Sequence, residues 1–283
     1  MSIPTLDLTL SSLESARFGL RIYRAVVDGI DADALIAALD RQQVDVAILR
    51  VPAWTLPSIQ ELRRHGLDPI VADTIVHYEA DLQTLPAHTR EHDPVVLRRA
   101  TEKDANLLES LAREVFAGYV THYHANPLLP AAKILDGYAE WASDPVRTKG
   151  THGGAWLVEA AGELAGFSCY AMDRETCRAT GVLNGILPAQ RGRGIYRRML
   201  QQMLRVFHSS GITHFATATQ VQNVTVQRIW VSEGLTLCRA ENTVHINALR
   251  GGTRAAAGMQ DDAADSRDLR ALIRRQAARF VPK

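Results

Sequence analysis

The segment Leu187-Pro-Ala-Gln-Arg-Gly-Arg-Gly-Ile-Tyr196 places two glycines between an apolar strand and an amphipathic helix. Gly192 and Gly194 have no Cβ, so backbone N–H groups there can approach a ligand closely. The helix read over Gly194–His208 carries Ile195, Met199, Leu200, Met203, Leu204 and Phe207 on one face, the period of a helix laid on a sheet. Its first turn leaves N–H groups unpaired and holds partial positive charge, to which Arg191 and Arg193 add full charge. A glycine turn flanked by solvated arginines is the plainer alternative, but the strand–turn–helix context favours a phosphate-binding helix end. No Gly-Lys-Ser/Thr follows, so this is not a Walker loop. A dinucleotide fingerprint would need a third glycine and an earlier place in the sheet.

Apolar runs and turn residues lay out the rest of the chain. Strands at Phe18–Val27, Val44–Val51 and Ile70–Tyr78 alternate with helices at Asp31–Arg41 and Pro57–His65, a β-α-β-α-β order over residues 1–85. Residues 86–94, with Pro86 and Pro94, read as a linker. Residues 95–250 predict a second, complete domain. It opens with the strand Val95–Arg98, the helix Glu102–Phe116 and the aromatic, histidine-rich stretch Tyr119–Trp141. Strands at Trp156–Ala160, Glu163–Met172 and Arg178–Leu187 precede the glycine turn, and Thr213–Thr219, the helix Val224–Glu233 and the strand Arg239–Leu249 follow its helix. Residues 251–283 form a tail in which Ser266–Phe280 has a basic amphipathic pattern. His65-Gly66-Leu67 and Glu233-Gly234-Leu235 stand 168 residues apart, and at that offset Val76-His77 falls on Val244-His245. Residues 1–85 thus read as a truncated copy of the second domain's C-terminal half. The copy's turn, Asp28-Gly29-Ile30-Asp31, has two carboxylates and no arginine, so it is expected to lack the anion site.

With 46% hydrophobic and 22% charged residues, the composition is that of a globular protein. A net charge of +1 supplies no global field for nucleic acid or an anionic membrane, and no apolar run is long enough to span a bilayer. The N-terminus lacks a signal-peptide pattern. Cys169, Cys177 and Cys238 are odd in number and follow no metal-ligand spacing. They predict a reducing, cytoplasmic setting without a disulfide framework.

Arg191-Gly-Arg-Gly194 resembles the pyrophosphate loop of the GCN5-related N-acetyltransferases (GNAT), whose pattern is Gln/Arg-x-x-Gly-x-Gly/Ala; Tyr196 stands where that family has a small residue. Downstream, Asn223-Val-Thr-Val-Gln-Arg-Ile-Trp230-Val-Ser-Glu-Gly234-Leu resembles the family's Asn-x-x-Ala-x-x-x-Tyr-x-x-x-Gly-Phe, with Trp230 in place of the tyrosine. The resemblance covers about Val95–Leu249. It implies an α/β fold, a mixed, mostly antiparallel sheet flanked by helices, preceded here by the partial β-α-β-α-β domain. It also implies an acyl-CoA co-substrate, acetyl-CoA or another, held by Ile186, Leu187, Arg191, Gly192, Arg193, Gly194, Ile195, Tyr196, Asn223 and Trp230. The acyl group would pass directly to a primary amine in a ternary complex, with backbone N–H groups near Ile186–Leu187 stabilising the oxyanion. In the family the asparagine contacts the pantetheine arm and the tyrosine often protonates the departing thiolate. The indole of Trp230 is no useful acid, so Tyr196 or water takes that place. A truncated domain before a complete one further resembles the TDP-fucosamine acetyltransferase group, implying a nucleotide-linked (dTDP-type) amino sugar as acceptor. A peptide, a polyamine or another small amine, and a non-catalytic acyl-CoA-binding module, are the alternatives.

His122 and His124 are the candidates for a general base, with surface or packing roles equally open. The His-x-His spacing has no carboxylate or cysteine cluster beside it, so no metal is expected. Asn184 stands on the strand before the turn and could face the acyl group or be an ordinary strand residue. Tyr123, Asn126, Tyr170 and Asp173 are the substrate-side candidates, with Cys177 of the same kind. Neither nucleic acid nor membrane is an expected partner, and a homodimer is left open.

Overall fold

Gly19 ends a helix that the alternation of apolar residues hides. The computed structural model describes residues 6–85, 94–148 and 153–249; the expected linker, apart from Pro94, and the tail with its Ser266–Phe280 helix lie outside them. Helix α1 is Ser12–Phe18, closed by Gly19 at φ 70°, so the strand expected from Phe18 begins at Ile22. The strands are β1 Thr9–Leu10, β2 Ile22–Val26, β3 Val46–Pro52, β4 Pro69–Asp81, β5 Val95–Arg99, β6 Gly153–Ala160, β7 Glu163–Asp173, β8 Arg178–Ile186, β9 His214–Gln220 and β10 Thr236–Asn247. The further helices are α2 Ala32–Gln42, α3 Leu56–Glu61, α4 Ala105–Val115, α5 Ala131–Arg147, α6 Ile195–Ser209 and α7 Val224–Ser232. No described helix is long and apolar enough to cross a membrane.

The described residues fall into two compact units that are discontinuous in sequence. The first takes the residues up to Val76, Val120–Ile134 and those from Arg239 on; the second takes His77–Tyr119 and Leu135–Cys238. Continuous domains over 1–85 and 95–250 were expected; here the chain's last strand joins its first ones. In the first unit the strand order is β1-β2-β3-β10-β4. Strands β2 and β3 are parallel, with Ile22 opposite Val46, and β10 is antiparallel to β3, with Asn247 opposite Val46. One sheet face carries Tyr23, Ala25, Ala47, Leu49, Val51, Val244 and Ile246, packed on Leu35 and Leu39 of α2 and Ile59 of α3. Strand alternation then puts Arg24, Arg50, Thr243 and His245 on the opposite face. Asp31 caps α2 by accepting the Ala34 N–H at 2.9 Å, so a carboxylate occupies this helix start. Thr74 and Asn242, which stand at the 168-residue offset, hydrogen-bond each other at 2.9 Å.

In the second unit the order is β4-β9-β8-β7-β6-β5. Strands β5 to β8 are antiparallel neighbours, and β8 and β9 are parallel. Mixed sheets flanked by helices are the expected architecture. Leu108, Leu111 and Val115 of α4 and Ala142 and Val146 of α5 pack on Leu157, Phe167 and Leu183 of one sheet face. On the other face Phe207 of α6 meets Trp156, Tyr170 and Phe215 at ring separations of 5.4, 5.4 and 5.8 Å. Gly185 sets how close α4 lies, because a Cβ there would come within 2.2 Å of Val115 Cγ1.

The polar face of the first unit holds a buried ion pair. Arg24 donates from both Nε and Nη2 to the carboxylate of Glu14 on α1, and Tyr123 donates to the same carboxylate while accepting from Arg24 at 2.9 Å. Burial raises the Glu14 pKa, but the charge and hydrogen bonds of Arg24 and Tyr123 outweigh it and hold the carboxyl at about 2, against an ordinary 4.5. A depressed carboxylate stabilises the fold above its unfolded pKa and loses that contribution as pH falls through its folded one. Stability of this unit should therefore drop between pH 4.5 and about 2. Glu14→Gln, which leaves Arg24 buried without its partner, should cost about 3 kcal/mol at neutral pH and flatten that acid limb. Denaturant unfolding at several pH values measures both effects.

Candidate functional site

The glycine turn sits where two parallel strands stop pairing. Strands β8 and β9 are paired from Arg178–His214 to Gly181–Thr217, yet β8 continues to Ile186 and β9 to Gln220. Val182 is an extra residue on β8, because Cys169 faces Leu183 while the next residue, Tyr170, faces Gly181. That bulge turns the strand away from its neighbour. Thr217 closes the end of the ladder, its hydroxyl donating to the Gly181 carbonyl at 3.2 Å.

Beyond this point the backbone of β8 is polarised. Leu187 N–H donates to Ala165 O at 2.8 Å. Residues of an antiparallel ladder alternate in direction, so the Ile186 N–H turns away from β7, towards the side that β9 has left. Of the two amides expected to face an oxyanion, that of Leu187 is committed to β7 and that of Ile186 is the one so directed. The Ile186 carbonyl is taken by Arg191 Nε at 3.1 Å, and Arg191 Nη2 donates to Val115 O at the end of α4 at 2.9 Å. Arg191 thus ties the turn to strand and helix, where it was expected to meet phosphate directly.

Gly192 and Gly194 have φ of 75° and 74°, and a Cβ at either would meet nothing within 4 Å. Both chain direction and open space are therefore set for close approach of a ligand. No side chain caps the start of α6; its first ladder bond is Arg198 N–H to Gly194 O. The exposed Arg193 meets Gln190 by a hydrogen bond. An open cleft of about 410 Å³ lies beside the turn, lined by Gly194, Arg197, Arg198, Gln201 and Ile229. Ile195 itself is buried and fixes the first turn of α6 to the core.

Trp230, on α7, donates its indole N–H to the Tyr196 hydroxyl at 3.2 Å. Its ring packs edge-on against Tyr78 at 5.3 Å. Burial pushes the Tyr196 phenol well above its ordinary value, the indole hydrogen bond acting the other way. The phenol is therefore protonated across the neutral range, and with its oxygen accepting from Trp230 its own hydrogen is free to donate. Asn223 begins α7 and donates Nδ2 to Thr219 at 3.0 Å. Asn184, half-buried on β8, accepts from the buried Ser168 of the neighbouring strand β7 at 2.6 Å.

The substrate-side candidates do not gather at this turn. Tyr170 stacks on Trp156 at 4.0 Å in the packing beneath α6, because β7 turns it to the helix side. Asp173 accepts the N–H groups of Glu175 and Thr176, shaping the β7–β8 hairpin. It faces Arg178, at the far end of a ladder whose other end is Gly166–Ile186, roughly 25 Å away at the rise of a strand. Cys177 sits in the same hairpin with φ 52°.

His122, His124, Tyr123 and Asn126 belong to the first unit. His124 Nδ1 accepts the Thr121 N–H at 3.0 Å in a capping box. The backbone N–H of Leu128 fixes the Asn126 oxygen, and Asn126 and Asn247 exchange amide hydrogen bonds at 2.8 and 3.1 Å. The amide nitrogen of Asn126 therefore donates to His245 Nδ1, so the hydrogen of His245 sits on Nε2 and points at His122 Nδ1, 2.8 Å away. Burial and nearby Arg24 hold His245 at about 3 and depress His122 well below its usual range. The basic lone pairs of both candidate histidines are thus already engaged. No group of three or more His, Cys, Asp or Glu among the described residues could hold a metal.

Residues 115–232 match the Acetyltransferase (GNAT) family. No curated protein is detectably similar in sequence. Among solved structures, the GCN5-related N-acetyltransferase from Kribbella flavida is 12% identical, with 80% of this chain and 81% of that one covered and a TM-score of 0.51. A functionally unknown conserved protein from Staphylococcus epidermidis ATCC 12228 is 13% identical, with 80% and 82% covered and a TM-score of 0.52. The GCN5-related N-acetyltransferase from Sphaerobacter thermophilus is 13% identical at a TM-score of 0.49, and this chain spans 62% of its length. For the Kribbella flavida and Staphylococcus epidermidis proteins, at these identities, the likeness is one of fold.

Gly194→Val puts a β-branched residue at positive φ and a side chain into the open side of the turn. It should weaken binding of CoA at least about tenfold. Gly66→Val, equally strained at φ 76° in the first unit, should leave it unchanged. Calorimetry on the two variants separates a ligand contact from general destabilisation.

Proposed function

We propose that this chain, whose residues 115–232 match the GNAT family, is an acyl-CoA-dependent N-acyltransferase acting on a primary amine. The observation that carries the reading is the uncapped start of α6 behind two left-handed glycines, beside strands that part after Gly181–Thr217. That end fits a pyrophosphate: first-turn N–H groups bind it, Arg193 adds charge, and Arg191 holds the turn in place. Asn223 contacts the pantetheine arm, and Ile186 N–H stabilises the negative charge that develops on the thioester oxygen.

The neutral amine forms the new C–N bond and the C–S bond breaks, so one proton must leave the nitrogen and one must reach the sulfur. Tyr196 supplies the second. Trp230 holds its oxygen and leaves the O–H to donate, so an indole at the family's tyrosine position orients an acid on α6 in place of being one. The first proton passes to solvent, since His122 Nδ1 and His124 Nδ1 already accept hydrogen bonds. The donor is taken to be acetyl-CoA and the acceptor a nucleotide-linked amino-deoxy sugar. The sugar reading rests on the β-α-β-α-β unit that precedes the acyltransferase segment. The three cysteines are free thiols, in keeping with action in the cytoplasm.

A panel of dTDP-linked amino sugars, polyamines and peptides, each with several acyl-CoAs and thiol release as readout, tests donor and acceptor together. CoA binding without turnover of any amine would make the protein a non-catalytic module. Tyr196→Phe should lower kcat by about 10²-fold, the usual scale of general acid catalysis, with KM for acyl-CoA little changed. Trp230→Phe, which keeps the phenol and loosens it, should fall between the two. An unchanged kcat in Tyr196→Phe would assign the proton to water.

A further inference from the structure

Arg50 lies in β3, whose neighbours along the chain are Val46, Ala47, Ile48, Leu49 and Val51. A single arginine in an otherwise apolar central strand has to be accounted for, because its guanidinium is carried into the protein by the strand itself. Its Nε and Nη1 are buried and have no hydrogen-bond partner. The carboxylate nearest to it, Asp73, is 3.9 Å from Nη1, beyond hydrogen-bond distance, and already accepts from Thr243. Buried N–H donors are almost always paired, and leaving a charged one unpaired is costly.

Charges of both signs surround Arg50: Arg24 is a cation, and Asp73 and Glu241 are carboxylates. Arg24 stands on the same sheet face, one strand away, and its charge works against that of Arg50. Arg24 is already matched by Glu14. His122 and His245, on the same face, are neutral for the reasons given above. The side chain of Arg50 is 15% exposed and that of Arg24 18%, so this face is not wholly sealed, although Nε and Nη1 of Arg50 are themselves covered. Tyr123 and Glu241 complete the charged and polar groups around Arg50.

We propose that Arg50 is the binding group of a small-oxyanion site on the polar sheet face of the first unit, taking a carboxylate or phosphate group of a small molecule. The planar guanidinium suits either anion through charge-assisted hydrogen bonds. This site is separate from the glycine turn and does not depend on the acyltransferase reading; the anion belongs to a substrate's acidic group or to a free metabolite.

Calorimetric and thermal-shift titrations of the full chain with malonate and with inorganic phosphate, at fixed ionic strength, test it and distinguish the two chemistries. The expected result is saturable binding of one of them with a Kd tighter than about 1 mM and a rise in Tm. Arg50→Met should weaken that binding at least about tenfold, leave CoA affinity unchanged, and raise the Tm of the anion-free protein, because an incompletely paired buried charge is replaced by an apolar chain. Were Arg50→Met not to fold, Arg50→Lys decides in the same titration: an unchanged Kd for the anion overturns the proposal. So does the absence of saturable binding to the native chain, or equal binding by Arg50→Met.

Discussion

The parting of β8 from β9 after Gly181–Thr217 is the constraint on which the candidate site depends. Parallel strands that stayed paired would satisfy each other's amides and leave no donor for a ligand. Once they separate, the amide of Ile186 faces the gap, and the carbonyl on the same residue must find another partner. Arg191 provides it, and in doing so fixes the glycine turn to the end of the strand and to α4. A single side chain therefore couples the shape of the sheet to the position of the α6 N-terminus. The close seating of α4 over Gly185 follows from the same need, since any Cβ there would push Val115 and its carbonyl away.

Buried charge is handled in two ways in this protein. Glu14, Arg24 and Tyr123 satisfy one another with hydrogen bonds, so the carboxyl stays depressed, against the opposite push of burial, only because its partners are in place. Arg50 is left incomplete beside them. The contrast matters because desolvation acts on both arginines alike; only the matched one recovers the loss. In the second unit the same logic applies to a neutral group. Burial raises the Tyr196 phenol, and the Trp230 indole restrains it without ionising it.

Several features were legible in the residues. The glycines of the turn and the apolar stripe of α6 fixed strand, turn and helix, since only a helix end on a sheet satisfies both patterns. The β-α-β-α-β order of residues 22–81 followed from alternating apolar runs and glycine stops, although α1 was hidden because its apolar residues, read with period two, continue into β2. The distribution of residues between compact units was not legible. It depends on β10 pairing with β3, a contact between residues nearly two hundred positions apart.

The amino-acid sequence by itself determined which backbone segments can bend sharply, which faces are apolar and where an uncapped helix must begin, because those depend on single residues and on spacing of three or four. It could not decide what each polar side chain meets. Whether His122 keeps a free lone pair depends on His245, whose tautomer depends on Asn126 and in turn on the Leu128 amide. Whether Arg191 binds phosphate or holds the turn depends on carbonyls of Ile186 and Val115. Hydrogen bonds are directional and short, so only the tertiary structure, which brings distant residues within about 3 Å, assigns them.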